Sequence, residues 1–242
     1  IPLSEAEALI RILPTQMERK ELYNKVMDQY VIIASISESE MNAIITNKKI
    51  NDELRGYKMP FDATIQSYEN ERRTVLGLVE TVTKNFKISQ RFYSVKKKML
   101  GIKKMGYYDR AVSVGKTKKK ISFDESYEIL HSIFKSLDTE FADILERFVK
   151  NGQVDAYPKI GKSGGAYCWG DHKSPTFVFL NHSDTLDSLT TFAHEMGHGI
   201  HTEFSNKQPV LYNEYSTATA EVASTLFEMF VFYDQFEKLP PN

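Results

Sequence analysis

The stretch TFAHEMGHGIH, residues 191–201, constrains the chain more than any other. An α-helix turns about 100° and rises about 1.5 Å per residue, so side chains four apart return to one face, one turn along. On such a helix His194 and His198 can both reach one metal ion. Neutral imidazole nitrogens suit zinc, and a catalytic zinc keeps one tetrahedral position for water. Glu195, one residue round from His194, is badly aimed for ligation but well placed for that water, so its expected role is general base. Leu186, Leu189, Phe192, Ala193, Met196 and Ile200 make the other sides apolar, as a buried helix requires. Gly197 and Gly199 are poor helix formers, each costing up to ~1 kcal/mol, and are best tolerated where another backbone comes close.

Two histidines do not complete such a site. The longer pattern H-E-x-x-H-x-x-G-x-x-H fails here, because His201 stands at its glycine position and Phe204 at its last histidine. His201 lies two turns beyond His194, too far to share the ion comfortably, and is expected beside the ligands or on the substrate side. Three later glutamates remain: Glu214, Glu221 and Glu228. Glu214 falls in a polar loop. Glu221 lies in TATAEVASTLFEMF, where Ala218, Ala220 and Ala223 keep a helix surface thin enough for close packing. Glu221 is therefore expected as the third ligand, with Glu228, seven residues on and on the same face, hydrogen-bonded to a ligand imidazole.

Around this segment the chain reads as mainly α. From Ser4 to about Gly101, apolar residues recur at helical spacing, with breaks at Pro14, at residues 56–60, and at Gly101 and Gly106. Ser37 and Glu40 resemble a capping box opening a helix. Residues 107–120 read as a linker ending in the run Lys116 to Lys120. Ser122 or Asp124 starts the next helix, Asp138 another, and Asn151-Gly152 closes it. The runs VDAYPKI, GAYCW and TFVFL then predict a small antiparallel sheet beside the HEMGH helix. That helix starts at Ser183 or Asp184 and runs to about Ser205, and a last helix covers about 217–236. The expected organisation is a helical lobe over 1–120 and a zinc-binding core over 121–242.

Composition narrows the class. A single cysteine, Cys168, excludes an internal disulfide and fits a reducing, cytoplasmic setting. The longest apolar runs are far short of the ~20 residues that span a bilayer, and nothing resembles a targeting signal. Charge is uneven: residues 84–120 carry 13 Lys/Arg against 1 Asp/Glu, and residues 121–242 carry 8 against 18. No nucleic-acid module accompanies the basic segment, so a solvated surface is the simpler reading. GKT at 115–117 and GKS at 161–163 imitate the end of a P-loop, but Arg110 and Ala156 occupy the positions of its first glycine.

Residues 151–201, NGQVDAYPKIGKSGGAYCWGDHKSPTFVFLNHSDTLDSLTTFAHEMGHGIH, followed by TATAEVASTLFEMF, resemble oligoendopeptidase F and the thimet-oligopeptidase-like zinc metallopeptidases, with weaker similarity in LGIKKMGYYD. The resemblance implies a zincin-like helical fold and one zinc held by His194, His198 and Glu221. It implies Glu195 as the catalytic base and short oligopeptides as substrates, admitted by a deep channel between two lobes. An edge strand at Gly164, Gly165, Ala166 and Tyr167 is then expected either to pair with an extended substrate through its main chain or to form an ordinary hairpin closing the core. Family members supply a histidine and tyrosines to the oxyanion from helices after the E-V-A-S-T segment. No equivalent of those groups maps onto residues 1–242, which also lack much of the family's N-terminal lobe, so the expectation is a fragment missing a C-terminal segment, a companion chain that completes the channel, or a short variant. The competing expectation is an inactive fragment, or a non-catalytic module with a structural zinc and a basic anion-binding segment at 84–120.

Overall fold

The computed structural model describes residues 3–114 and 120–238, and most of the lysine run lies outside them. The chain divides into two compact units, Ile1–Thr117 and Lys118–Asn242. The first is helical: α1 (Leu3–Ile12), α2 (Gln16–Leu54), α3 (Asp62–Ser67), α4 (Arg72–Lys84), α5 (Phe86–Met99) and a single 3-10 turn at Tyr107–Asp109. The capping box of α2 is at Thr15 and Glu18. The Ser37/Glu40 pair lies inside α2 instead of opening a helix, because no proline or glycine interrupts residues 16–54. Ala6, Ile10 and Val26 form a small core here. Beside it, the buried Arg19 guanidinium meets the fully buried Asp109 carboxylate at 3.0 Å. The Gly106 N–H and the Gln16 amide donate to the other Asp109 oxygen, at 2.9 and 2.6 Å. The second Arg19 arm donates to the Leu13 and Pro14 carbonyls. Every polar atom of this pair that could be orphaned thus has a partner, which is what permits its burial.

The second unit contains α6 (Phe123–Leu137), α7 (Thr139–Lys150), β1 (Val154–Asp155), β2 (Tyr167–Trp169), β3 (Phe177–Phe179), α8 (Leu186–Ser205) and α9 (Thr217–Lys238). Ser122 and Asp138 cap α6 and α7 through their side chains. Thr185, rather than Ser183 or Asp184, caps α8: its hydroxyl accepts the Ser188 N–H. Ser183 instead donates its own N–H to the Ser188 hydroxyl, and Asp184 takes φ 55°. The α8 residues Leu189, Phe192, Ala193, Met196 and Ile200 are buried against Leu130, Phe134, Leu145, Phe148 and Val231. Leu186, at the first turn, is partly exposed.

The sheet is mixed rather than antiparallel, in the order β1-β3-β2. β2 pairs antiparallel with β3, Cys168 opposite Val178, while β1 runs parallel to β3, Val154 opposite Val178. The chain reverses twice, between β1 and β2 and between β2 and β3, so β3 enters the gap with the direction of β1. Val178 and Leu180 donate to Gln153 and Asp155 on the β1 side. Antiparallel alternation then turns the Cys168 amide away from β3, toward the outer edge of β2.

Candidate metal centre

α8 and α9 run antiparallel and unusually close. His194 meets Glu228, Gly197 meets Ser224 and His198 meets Glu221, the numbers falling on one helix as they rise on the other. Closeness follows from Gly197: a β-carbon there would lie 2.7 Å from Ser224 Cα and 3.0 Å from the Ala223 carbonyl. Gly199 serves a different neighbour, the Phe148 ring, 3.0 Å from where its β-carbon would be. Of the alanines expected to thin α9, Ala223 lies at the contact while Ala218 is exposed.

This packing brings His194, His198 and Glu221 together, with one donor atom from each lying within 4.8 Å of the others. Glu221 Oε2 lies 3.4 Å from His194 Nε2 and 3.7 Å from His198 Nε2. The two imidazole rings stand almost perpendicular, at 83°, with centroids 4.9 Å apart. On the far side of its ring, His194 Nδ1 lies 3.1 Å from Glu228 Oε2, a carboxylate oxygen placed to accept a proton held on Nδ1 and to orient the ring. Burial holds the His198 imidazole below its ordinary pKa, against the opposing pull of Glu221. His198 thus favours the neutral state that a metal requires. Two imidazole nitrogens and one carboxylate match the donor set of a catalytic zinc site and leave a fourth position free.

Glu195 is buried, while the histidines beside it are partly buried. Burial raises its pKa above the usual carboxylate range and Glu221 adds to the rise, while His194 and the Cys168 backbone N–H, directed at the carboxylate, oppose it. The base candidate therefore sits against the outer edge of β2. Tyr167 and Trp169 on that strand are about half exposed, and Tyr167 stacks on Phe179 with centroids 4.8 Å apart.

Of the other expected residues, Glu214 is exposed in the α8–α9 connection, outside the donor group. His201 is also outside it. Its ring stacks on Tyr215 at 4.0 Å, and burial lowers its pKa. Gly164 and Gly165 lie in the loop entering β2, with Gly165 at φ 87° and open space where a side chain would be. That loop is held by two side chains that sequence reasoning had not assigned. The Lys162 ammonium, nearly inaccessible, donates to the Asp155 and Tyr157 carbonyls at 2.9 and 2.8 Å and lies 4.4 Å from the centroid of the Phe179 ring. The Asn181 amide donates to the Ser163 and Gly165 carbonyls, both at 2.9 Å. Ser224, also unassigned, donates to Glu221 Oε2 at 2.8 Å. Its i+3 spacing from Glu221 was the available signal.

Residues 11–240 match the family described as peptidase family M3. The chain is similar to Oligopeptidase PepF of Bacillus subtilis, 26% identical over 212 residues that make up 87% of this chain and 32% of that protein. It is also similar to an oligoendopeptidase F homologue of Borreliella burgdorferi, 30% identical over 222 residues, 88% of this chain and 37% of that protein. Among solved structures it superposes on PZ peptidase A bound to an inhibitor, with TM-score 0.81 and 18% identity, covering 96% of this chain and 42% of that one. That likeness shows a shared fold. The chain spans about a third of the length of the two relatives compared by sequence.

Proposed function

The chain belongs to peptidase family M3, and on that premise we propose that His194, His198 and Glu221 hold one zinc ion and that the protein hydrolyses short oligopeptides with Glu195 as general base. The observation that carries this is the convergence of three donor atoms within 4.8 Å, beside a buried carboxylate of raised pKa. When bound, zinc lowers the pKa of water and polarises a scissile carbonyl. Glu195 takes a proton from the attacking water at its carboxylate and passes it to the leaving amine; its raised pKa suits both halves of that shuttle. Glu228 keeps the His194 ring oriented.

Substrate binding fits the edge of β2. An extended peptide added there would hydrogen-bond through its main chain, beside Glu195 and with little demand on its sequence. Gly164, Gly165, Ala166 and Tyr167 line the approach, and the missing side chain at Gly165 leaves room for a second backbone. No helix among the described residues is long and apolar enough to cross a membrane. The lone Cys168 agrees with a reducing, cytoplasmic setting. No nucleic-acid partner is part of this reading.

A structural zinc is the competing class, but such sites normally fill all four positions with protein ligands, and the cluster offers three. Metal analysis combined with cleavage of quenched fluorescent peptides decides between them. We expect one zinc in both the parent protein and Glu195→Gln, with cleavage lost only in the variant. Cleavage by Glu195→Gln at the parental rate rejects Glu195 as the base, whereas a zinc-loaded but inert parent points to the expected further C-terminal residues.

A further inference from the structure

Glu221 is the most exposed of the three donors, its side chain 49% accessible against 26% for His194 and 20% for His198. A glutamate at a helix surface has three rotatable side-chain bonds and samples several staggered conformers. Its Oε2 is nonetheless held between two imidazoles. The hydroxyl of Ser224, a fully buried residue, lies 2.8 Å from that same oxygen and 3.2 Å from the Glu221 carbonyl. Ser224 is itself fixed relative to the histidine helix, because its Cα lies 2.7 Å from the β-carbon position of Gly197. Close helix packing demands only a small residue here. Alanine would satisfy that demand with a better helix propensity and no buried hydroxyl to desolvate. Packing therefore accounts for the size of residue 224 and leaves its oxygen unexplained.

We propose that Ser224 is a positioning residue: its hydroxyl holds Glu221 Oε2 against His194 and His198 and thereby sets the affinity of the three donors for a divalent cation. The inference rests on the zinc-ligand reading above. Ser224 itself touches neither substrate nor reacting atoms. Its effect is one of population: if only a fraction of Glu221 conformers faces the histidines, apparent affinity falls by that fraction. Groups that orient a ligand side chain typically change metal affinity by about 10- to 100-fold.

The test uses the full chain and zinc alone. Zinc affinity is measured by competition with a chromophoric chelator, and each protein's Tm is read with and without zinc. We expect Ser224→Ala to bind zinc at least about tenfold more weakly, with a smaller zinc-induced rise in Tm, while its metal-free Tm stays near the parent's. Ser224→Cys, which keeps the volume and a weak donor, should fall between them, and it carries the comparison should the alanine variant not fold. Zinc affinity within twofold of the parent in these variants overturns the inference, even if metal-free stability drops, because that pattern belongs to packing alone. Glu221→Ala separates the two readings. If it binds zinc as the parent does, or if the parent binds none, the ligand assignment itself fails, and the inference falls with it.

Discussion

A β-carbon on Gly197 would sit 2.7 Å from Ser224 Cα, backbone against backbone, with no flexible side chain to move aside. The spacing between α8 and α9 is thus set by a missing methyl group. Gly197→Ala should raise helix propensity yet lower stability, since overpacking of this kind costs about 1–3 kcal/mol. Parting the helices also moves Glu221 from the histidines. We expect a lower Tm and weaker zinc binding together, by thermal melts and chelator competition; a more stable variant with parental zinc affinity would remove Gly197 as the spacer.

Glu228 meets His194 at 3.1 Å on the side away from the donor cluster. Glu228→Ala removes the acceptor that keeps the Nδ1 proton in place, so the ring can turn and its tautomers mix. Zinc affinity should drop about tenfold or more, with little change in metal-free stability. Isothermal titration of zinc into metal-free protein reads this directly.

Asn181 ties the loop before β2 through two carbonyls, those of Ser163 and Gly165. Asn181→Ala should loosen the ledge where substrate backbone is proposed to pair. KM is then expected to rise by a similar factor for peptides of unrelated sequence, with kcat and zinc content nearly unchanged. A change confined to one peptide sequence would assign Asn181 to side-chain selectivity instead.

The Cys168 thiol is pushed up to about 12, mainly by burial, with Glu195 and Glu203 adding to it. Alkylation requires the thiolate. At pH 8 the native protein should therefore resist iodoacetamide, and full labelling should need denaturant. Rapid native labelling, scored by intact mass, would mean that the region around β2 opens readily.

In the first unit, Arg19 and Asp109 are almost completely removed from solvent. Truncating Arg19 to Met would strand the Asp109 charge, a loss of about 3–5 kcal/mol for a buried pair broken on one side. Hydrogen exchange should accelerate in α1 and at the start of α2, while α8 and α9 keep the parental pattern.

The sequence made legible what depends on residue type at fixed spacing. The side-chain caps at Ser122 and Asp138 and the course of α8 and α9 were readable because a helix announces its ends and its buried face locally. So was the cluster of His194, His198 and Glu221, where spacing on two helices limits the candidates to a few carboxylates. Local signals also misled: Ser37 and Glu40 spell a cap, but no breaker stands near them, and α2 runs through. The direction of β1 depends on which gap β3 fills, something no single strand encodes. Lys162 and Asn181 act on backbone carbonyls 5–18 residues away, and carbonyls carry no sequence signature.

All three donors and the proposed base lie within residues 194–221, on two neighbouring helices joined by residues 206–216. Contacts of small sequence separation form early and lose little chain entropy. The centre can therefore assemble as a helical hairpin within residues 186–238. It also confines the reactive chemistry to one uninterrupted stretch. Insertions elsewhere in a chain of this family can reshape what reaches the donor cluster while leaving every donor in step with the others.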